Sequence, residues 1–250
     1  MTSRGCPKKC AFCSSSNFWE KKVRFHSAEY VIENIGYLFK KGVNDFNFVD
    51  DNFAFKFSRL EKICGKLESL GSKWSCTIRS DFVNSEIANL MKKTGCRQVS
   101  LGIETGSNRL LEHINKGETV EDHKKAVYIL KKAGLKVLGF LMVGLPTENK
   151  KDLDATVRFI KEQPVDYYTI STFVPYPGTP IWYNPKNFGY SFRRNISYDK
   201  YCSLGKEVEL ESICEDYKKI NKHRKVLMTA LRSKCTNLKS FQIANVLKRK

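Results

Sequence analysis

Three cysteines near the start of the chain have the spacing to hold a metal cluster. Cys6, Cys10 and Cys13 lie in the run Ser-Arg-Gly-Cys-Pro-Lys-Lys-Cys-Ala-Phe-Cys, a C-x3-C-x2-C pattern. Three thiolates this close together can bind an iron–sulfur cluster. They are one ligand short of saturating a four-iron cluster, so one iron would keep an open position. An open position is typical of catalytic rather than structural metal sites.

The elements that must position these cysteines alternate between strand and helix patterns. Strands are predicted at 44–51, 74–78, 97–103, 135–143 and 165–174, and helices at 27–41, 56–70, 84–94, 120–133 and 151–162. Successive β–α units imply parallel strands, and the apolar character of the strands suits a sheet covered by helices. The sequence therefore predicts an α/β fold with too few strands for a closed eight-stranded barrel.

Polar side chains recur where these predicted strands end. Asp50 and Asp51 follow the first, Arg79 and Asp81 follow the second, and Glu104 follows the third. The carboxyl ends of parallel strands share one edge of the sheet, and chemistry in barrel-like α/β folds is found at that edge. Each residue alone could be a loop residue or a helix cap, but five on one edge predict a functional site.

The pattern changes after residue 175. We expect a core of residues 1–180 and a mainly helical, basic extension at 181–250. Residues 217–250 hold eleven Lys or Arg and no Asp or Glu, within a net charge of +18. A solvated lysine-rich helix face is the preferred interpretation, and a surface for nucleic acid or another anionic partner is the alternative. The apolar stripe through Ile220, Leu227, Leu231, Cys235 and Leu238 favours core packing over a membrane anchor.

Composition limits the protein's environment. The sequence has no apolar run long enough for a transmembrane helix and no signal-peptide core at its start, so we expect a cytoplasmic protein. Cytoplasmic location argues against disulfides for the nine cysteines. Cys64, Cys76 and Cys96 fall in apolar patterns and are expected in the core. Wide spacing argues against a second metal site at the three remaining cysteines, Cys202, Cys214 and Cys235.

The cysteine pattern, the aromatic Phe12 within it and six following α/β units resemble the radical S-adenosylmethionine (SAM) superfamily over about residues 1–180. Several segments also match that family: Val49-Asp50-Asp51-Asn52-Phe53, Ile78-Arg79-Ser80-Asp81, Leu101-Gly102-Ile103-Glu104-Thr105-Gly106, Gly139-Phe140-Leu141-Met142-Val143-Gly144-Leu145-Pro146 and Pro175-Tyr176-Pro177-Gly178-Thr179-Pro180. The resemblance implies a partial (β/α)6 TIM-like barrel. It also implies a 4Fe–4S cluster on the three cysteines and SAM bound at the open iron.

The resemblance further implies reductive cleavage of SAM to a 5′-deoxyadenosyl radical, which abstracts hydrogen from a small-molecule substrate that the sequence does not identify. An electron donor such as a flavodoxin or ferredoxin would reduce the cluster. The implied cofactor contacts are Phe12 beside the adenine, Asp50 or Asp51 at the α-ammonium group, Arg79 at the carboxylate, Ser80 or Glu104 at the ribose, and the backbone around Met142, Gly144 and Pro175 flanking the adenine.

The nearest branch of the superfamily often carries an N-terminal cobalamin-binding domain. The chain begins five residues before Cys6. We therefore expect a first strand reduced to about residues 1–5 and no cobalamin domain, which leaves the use of cobalamin open.

Three alternatives remain open at this point. The cysteines could bind zinc with His26 as a fourth ligand. The chain could be an inactive or incomplete fragment that acts as a binding module. It could also be a radical SAM enzyme that modifies RNA, an alternative that only the basic tail supports.

Overall fold

The computed structural model describes residues 1–193 and 210–236. In chain order the elements are β1 (Ser3–Arg4), α1 (Ser15–Phe18), β2 (Arg24–Phe25), α2 (Ala28–Lys40), β3 (Asp45–Phe48), α3 (Phe57–Ser69), β4 (Lys73–Ile78), α4 (Ser85–Lys93), β5 (Cys96–Glu104), α5 (Asn108–His113), α6 (Val120–Lys132), β6 (Lys136–Val143), α7 (Lys150–Glu162), β7 (Tyr167–Thr172), α8 (Pro180–Tyr183), α9 (Leu210–Ile213) and α10 (Tyr217–Thr236). Short 3-10 helices span Ser80–Phe82 and Pro185–Phe188.

The main sheet is a five-stranded parallel sheet in the order β3-β4-β5-β6-β7. The predicted α/β fold is confirmed, and the predicted helices and strands agree with the observed ones to within a few residues. The strand expected at residues 1–5 does not join this sheet. β1 instead pairs antiparallel with β2, with Ser3 opposite Phe25. Gly5, which follows β1, has a φ of +97°, and a Cβ at this position would lie 2.0 Å from the Lys22 carbonyl oxygen.

Local signals in the sequence explain where the helices begin. The side chain of Ser27 accepts a hydrogen bond from the Tyr30 backbone at the start of α2. Thr119 and Asn149 begin α6 and α7 with capping boxes. In each, the side chain of the cap residue accepts from the helix backbone, and the carboxylate of Asp122 or Asp152 accepts from the backbone N–H of the cap residue. Each such cap satisfies N–H groups that a helix leaves unpaired, and each contributes about 1 kcal/mol.

The main core lies between the sheet and its helices. Its largest fully buried side chain is Trp74, which meets the rings of Phe48 and Phe53 edge-on and donates its indole N–H to the Thr94 carbonyl oxygen at 2.7 Å. Cys64, Cys76 and Cys96 belong to this core, as predicted. Burial of each large apolar side chain contributes about 1.5–3 kcal/mol.

The C-terminal helix α10 packs against α7, β7 and β6. Ile220, Leu227 and Leu231 lie in the main core, so the prediction of core packing is confirmed for these three residues of the stripe. Lys222 and Lys225 are exposed to solvent. Residues 237–250 of the basic tail and Cys202 lie outside the described residues. Within the described part of the chain, no helix has the length and apolar character needed to cross a membrane.

Candidate functional site

The cysteine loop lies across the carboxyl-end edge of the sheet and is tied down at several points. The Ala11 backbone donates to the Ile114 carbonyl oxygen at 2.8 Å and accepts from Ile181 at 3.3 Å. Farther along, the Asn17 side chain donates to the Gly178 carbonyl oxygen at 2.7 Å. The loop therefore contacts segments that follow α5 and β7, which are distant in sequence.

Asp50 and Asp51 hold the start of the loop in different ways. The buried carboxylate of Asp50 accepts hydrogen bonds from the backbone N–H and the hydroxyl of both Thr2 and Ser3. Asp51 is exposed and accepts from the Gly5 backbone at 3.0 Å. Asp50 is thus saturated by the N-terminal segment, whereas Asp51 keeps acceptor capacity toward solvent. The prediction that one of them binds the ammonium group of SAM stays a prediction, and these contacts favour Asp51.

The three thiols lie close together in a partly desolvated loop. Burial raises the pKa of Cys6, Cys10 and Cys13 above that of a free thiol. Neighbouring sulfurs raise it further, since Cys10 acts on Cys6 and both act on Cys13. Thiolates in this loop would repel one another, and a bound cationic centre would offset that repulsion. This donor set therefore fits a 4Fe–4S cluster.

Buried charged side chains lie near Cys10, among them Arg79 and Glu118. Arg79 pairs its Nε with Asp81 at 3.0 Å and its Nη2 with Glu118 at 3.2 Å. Burial would lower the pKa of Arg79, but Glu118 and Asp81 outweigh it and raise the pKa. Burial would also raise the pKa of Asp81, but hydrogen bonds from Arg79 and Lys8 keep it low. Arg79 therefore stays charged beside the cysteine, and its two-pronged fork faces Asp81.

Lys116 is the second buried cation of the site. Its Nζ lies 2.9 Å from Glu104 Oε1, 3.4 Å from Glu118 Oε2 and 5.9 Å from the centre of the Phe12 ring. Burial would lower the pKa of Lys116, but Glu104 and Glu118 outweigh it and raise the pKa. Gly102 makes room for the pair with Glu104, because a Cβ there would lie 2.6 Å from Glu104 Oε1 and 2.9 Å from Lys116 Nζ.

Glu104 is aimed at Lys116 by an irregular strand end. The pairing of β5 with β6 shifts register between Gly102 and Glu104, and Glu104 has a φ of +62°. A register shift re-aims side chains, and a positive φ is costly outside glycine. Functional sites commonly hold such geometry. The predicted ribose contact of Glu104 stays a prediction, since its carboxylate is paired with Lys116.

Ser80, the other candidate for the ribose, faces inward. Its hydroxyl lies 2.8 Å from Nδ1 of His123 on α6, and both side chains are buried. Burial, together with the nearby Lys116 and Arg79 cations, lowers the pKa of His123 to about 3. His123 is therefore neutral at physiological pH. The ribose role of Ser80 stays a prediction, and its observed partner is this imidazole.

The residues predicted to flank the adenine fall into two environments. Phe12 and Met142 pack against the same small apolar cluster, which includes Leu145. Gly144 has a φ of +82° at the end of β6, and a Cβ there would lie 3.0 Å from Ile220 of α10. The positive φ and the close approach of Ile220 therefore both favour glycine at position 144. Pro175 is buried just after β7. Their contacts with adenine stay predictions.

His26 does not join the cysteines. Its ring stacks on Tyr30 of α2, with ring centres 5.0 Å apart. Among the described residues, no group of three or more His, Cys, Asp or Glu side chains converges closely enough to hold one metal ion. A zinc ion needs all its sulfur ligands about 2.3 Å from a single centre, whereas a cluster can offer each cysteine a separate iron. The observed partner of His26, the fourth ligand in the zinc alternative, is therefore Tyr30.

Three residues of this site were not predicted from the sequence: Lys116, Glu118 and His123. Lys116 and Glu118 lie in the loop Asn115-Lys116-Gly117-Glu118-Thr119 between α5 and α6. Asn and Gly signal a turn there, but turn residues do not indicate that neighbouring charges are buried. His123 lies on a helix face, where its pattern resembles that of any core position.

Comparison with known proteins agrees with this geometry. The family model of the radical SAM superfamily matches residues 1–160. An uncharacterized methyltransferase of Pyrococcus horikoshii is 40% identical over 185 residues, which are 73% of this chain and 40% of that protein. Bacteriochlorophyllide d C-12(1)-methyltransferase of Chlorobaculum tepidum is 28% identical over 80% of this chain and 44% of that protein. The chain belongs to the radical SAM superfamily.

A solved structure shows the same fold. The radical SAM methyltransferase TsrM from Kitasatospora setae, with tryptophan and a SAM analogue bound, superposes with a TM-score of 0.68 at 17% identity over 78% of this chain and 40% of that one. The same protein is also known with cobalamin and a 4Fe–4S cluster bound. The chain thus spans less than half the length of these relatives.

Proposed function

We propose that this chain is the SAM-cleaving core of a radical SAM enzyme. Cys6, Cys10 and Cys13 would hold a 4Fe–4S cluster at the carboxyl-end edge of the sheet. When reduced, that cluster would supply the electron that cleaves SAM to a 5′-deoxyadenosyl radical able to abstract hydrogen from a substrate. The observation that carries the proposal is the set of three close thiols, held on one loop beside two buried cations.

The chain's own residues would then position and shield the cofactor. Phe12 and Met142 line an apolar surface beside the cysteines that suits the adenine face. Asp51, with acceptor capacity left, suits the ammonium group. Neither role needs a proton to be moved, so the protein's task at this site is orientation and exclusion of water.

Anaerobic reconstitution with iron and sulfide tests this function. We expect about four irons per chain and 5′-deoxyadenosine after reduction with dithionite in the presence of SAM. Cys10→Ala should abolish both. Cys64→Ala is the matched control, because Cys64 is a fully buried core cysteine that should not affect either. Iron binding without 5′-deoxyadenosine from the wild-type chain would leave the binding-module alternative, and zinc in place of iron would exclude the proposal.

Methyl transfer is the reaction class that the relatives favour, because the 40% identical protein is named a methyltransferase. Incubation with methyl-labelled SAM and reduced cobalamin tests it. Label on cobalamin supports the proposal, and cleavage of SAM without labelled cobalamin counts against it. We propose a flavodoxin or ferredoxin as the physiological reductant, to be compared with dithionite in the same assay.

RNA modification is a weaker proposal, supported by the exposed lysines of α10. Binding of a labelled transfer RNA should weaken steeply as salt is raised if the proposal holds. Binding that is absent, or that does not depend on salt, would remove it.

A further inference from the structure

The guanidinium of Arg79 presents one of its three nitrogens to a cysteine of the proposed cluster site. Nε and Nη2 both donate to the Asp81 carboxylate, and Nη2 also donates to the Lys116 carbonyl oxygen at 3.0 Å. Nη1 lies 3.8 Å from the Cys10 sulfur. Because Asp81 and Glu118 hold the rest of the group, Nη1 has a fixed direction.

Cys10 is the most buried of the three cysteines, with 7% of its surface exposed. As a thiol it donates to the Lys116 carbonyl oxygen at 3.8 Å. A cysteine that binds iron loses its proton and can then only accept hydrogen bonds. The Lys116 carbonyl would keep its bond from Arg79 Nη2, and the thiolate would gain Nη1 as a charged donor.

We propose that Arg79 donates a hydrogen bond to the Cys10 sulfur and thereby raises the reduction potential of the cluster, an inference that rests on the proposed function. An added electron increases the negative charge on the cysteine sulfurs. A charged N–H donor stabilises this reduced form more than the oxidised form, and hydrogen bonds to sulfur are a recognised determinant of cluster potentials. The low exposure of the pair limits screening by water.

This role differs from the cofactor contact that the sequence predicts for Arg79. Binding a SAM carboxylate with two hydrogen bonds would need a pair of guanidinium nitrogens that face it together. The Nε–Nη2 pair is engaged by Asp81, which is also held by Lys8 at 2.7 Å, and in the Nη1–Nη2 pair Nη2 already donates to Asp81 and to the Lys116 carbonyl oxygen. The nitrogen that remains points to sulfur.

The test is the midpoint potential of the reconstituted cluster, followed by electron paramagnetic resonance during a redox titration. In Arg79→Lys the shorter side chain cannot reach both Asp81 and Cys10. We expect the equilibrium constant for reduction to fall about tenfold, which is about 59 mV for one electron. Lys8→Gln is the matched control, since Lys8 also pairs with Asp81 but is one-third exposed. Its shift should be well below that of Arg79→Lys.

A second measurement detects the contact itself. In wild-type protein labelled with [15N]arginine, pulsed electron paramagnetic resonance of the reduced cluster should show a coupled 15N nucleus, which Arg79→Lys should remove. A normal iron content with no 15N coupling, or with an unchanged potential in Arg79→Lys, would overturn the inference and leave the proposed function intact. If Arg79→Lys left the potential unchanged but weakened the binding of SAM, Arg79 would be assigned to the SAM carboxylate instead. Failure of the wild type to bind iron would overturn both.

Discussion

Loss of the Asp50 carboxylate should detach the N-terminal segment that leads into the cysteine loop. The buried carboxylate accepts from the backbone and hydroxyl groups of Thr2 and Ser3. Asp50→Ala would leave these buried donors without an acceptor, and each hydrogen bond to a charged group contributes about 1.5–3 kcal/mol. These bonds are not additive. Removal of one partner from a buried charged contact typically costs about 3–5 kcal/mol, and we expect a loss in that range.

The neighbouring residue provides the control. Asp51 is exposed and accepts from the Gly5 backbone, so Asp51→Ala should cost only about 0.5–1.5 kcal/mol. The two substitutions remove the same chemical group one position apart. Any difference between them therefore reports the burial and bonding of the carboxylate.

Urea unfolding of the ligand-free chain is the assay. With an m-value of about 3 kcal/mol/M, Asp50→Ala should lower the midpoint by about 1 M or more, and Asp51→Ala by less than about 0.5 M. Amide hydrogen exchange should show faster exchange at Thr2 and Ser3 in Asp50→Ala alone. Equal losses of stability in the two variants, or unchanged exchange at Thr2 and Ser3, would refute this account of the anchor.

Three further outcomes are expected. The pKa of His123 is lowered to about 3, mainly by burial, so below about pH 6.5 the unfolded chain takes up a proton that the folded chain does not. The free energy of unfolding should therefore fall by about 2 kcal/mol from pH 6.5 to pH 5. His123→Gln should lose this pH dependence. In Gly106→Ala the new Cβ would lie 2.6 Å from the Ala155 carbonyl oxygen, so thermal unfolding should show a loss of about 1–3 kcal/mol, whereas Gly65→Ala, with open space around it on α3, should gain about 0.5–1 kcal/mol. Asn149→Ala should cost about 1 kcal/mol in urea unfolding through loss of the α7 cap, and an unchanged midpoint would argue against the capping box.

The parallel sheet was predictable because its signals are local. Apolar strands such as 135–143, glycine stops and capping residues such as Asn149 act within a few positions of the chain. The antiparallel pairing of Ser3–Arg4 with Arg24–Phe25 was not predictable in this way. Two-residue strands have no periodicity, and their pairing depends on Gly5 and on the anchor that Asp50 supplies.

The sequence by itself determined the α/β class and the edge of the sheet that carries Asp51, Arg79 and Glu104, and it predicted the three cysteines as cluster ligands. It did so because the cysteine spacing and strand ends are properties of neighbouring residues. Only the tertiary structure decided which charges are paired and which are free. Arg79 pairs with Asp81 and lies near the Cys10 sulfur, and Lys116, from the turn between α5 and α6, pairs with Glu104. Both cations are buried, and a buried charge is costly unless a partner from elsewhere in the fold is paired with it.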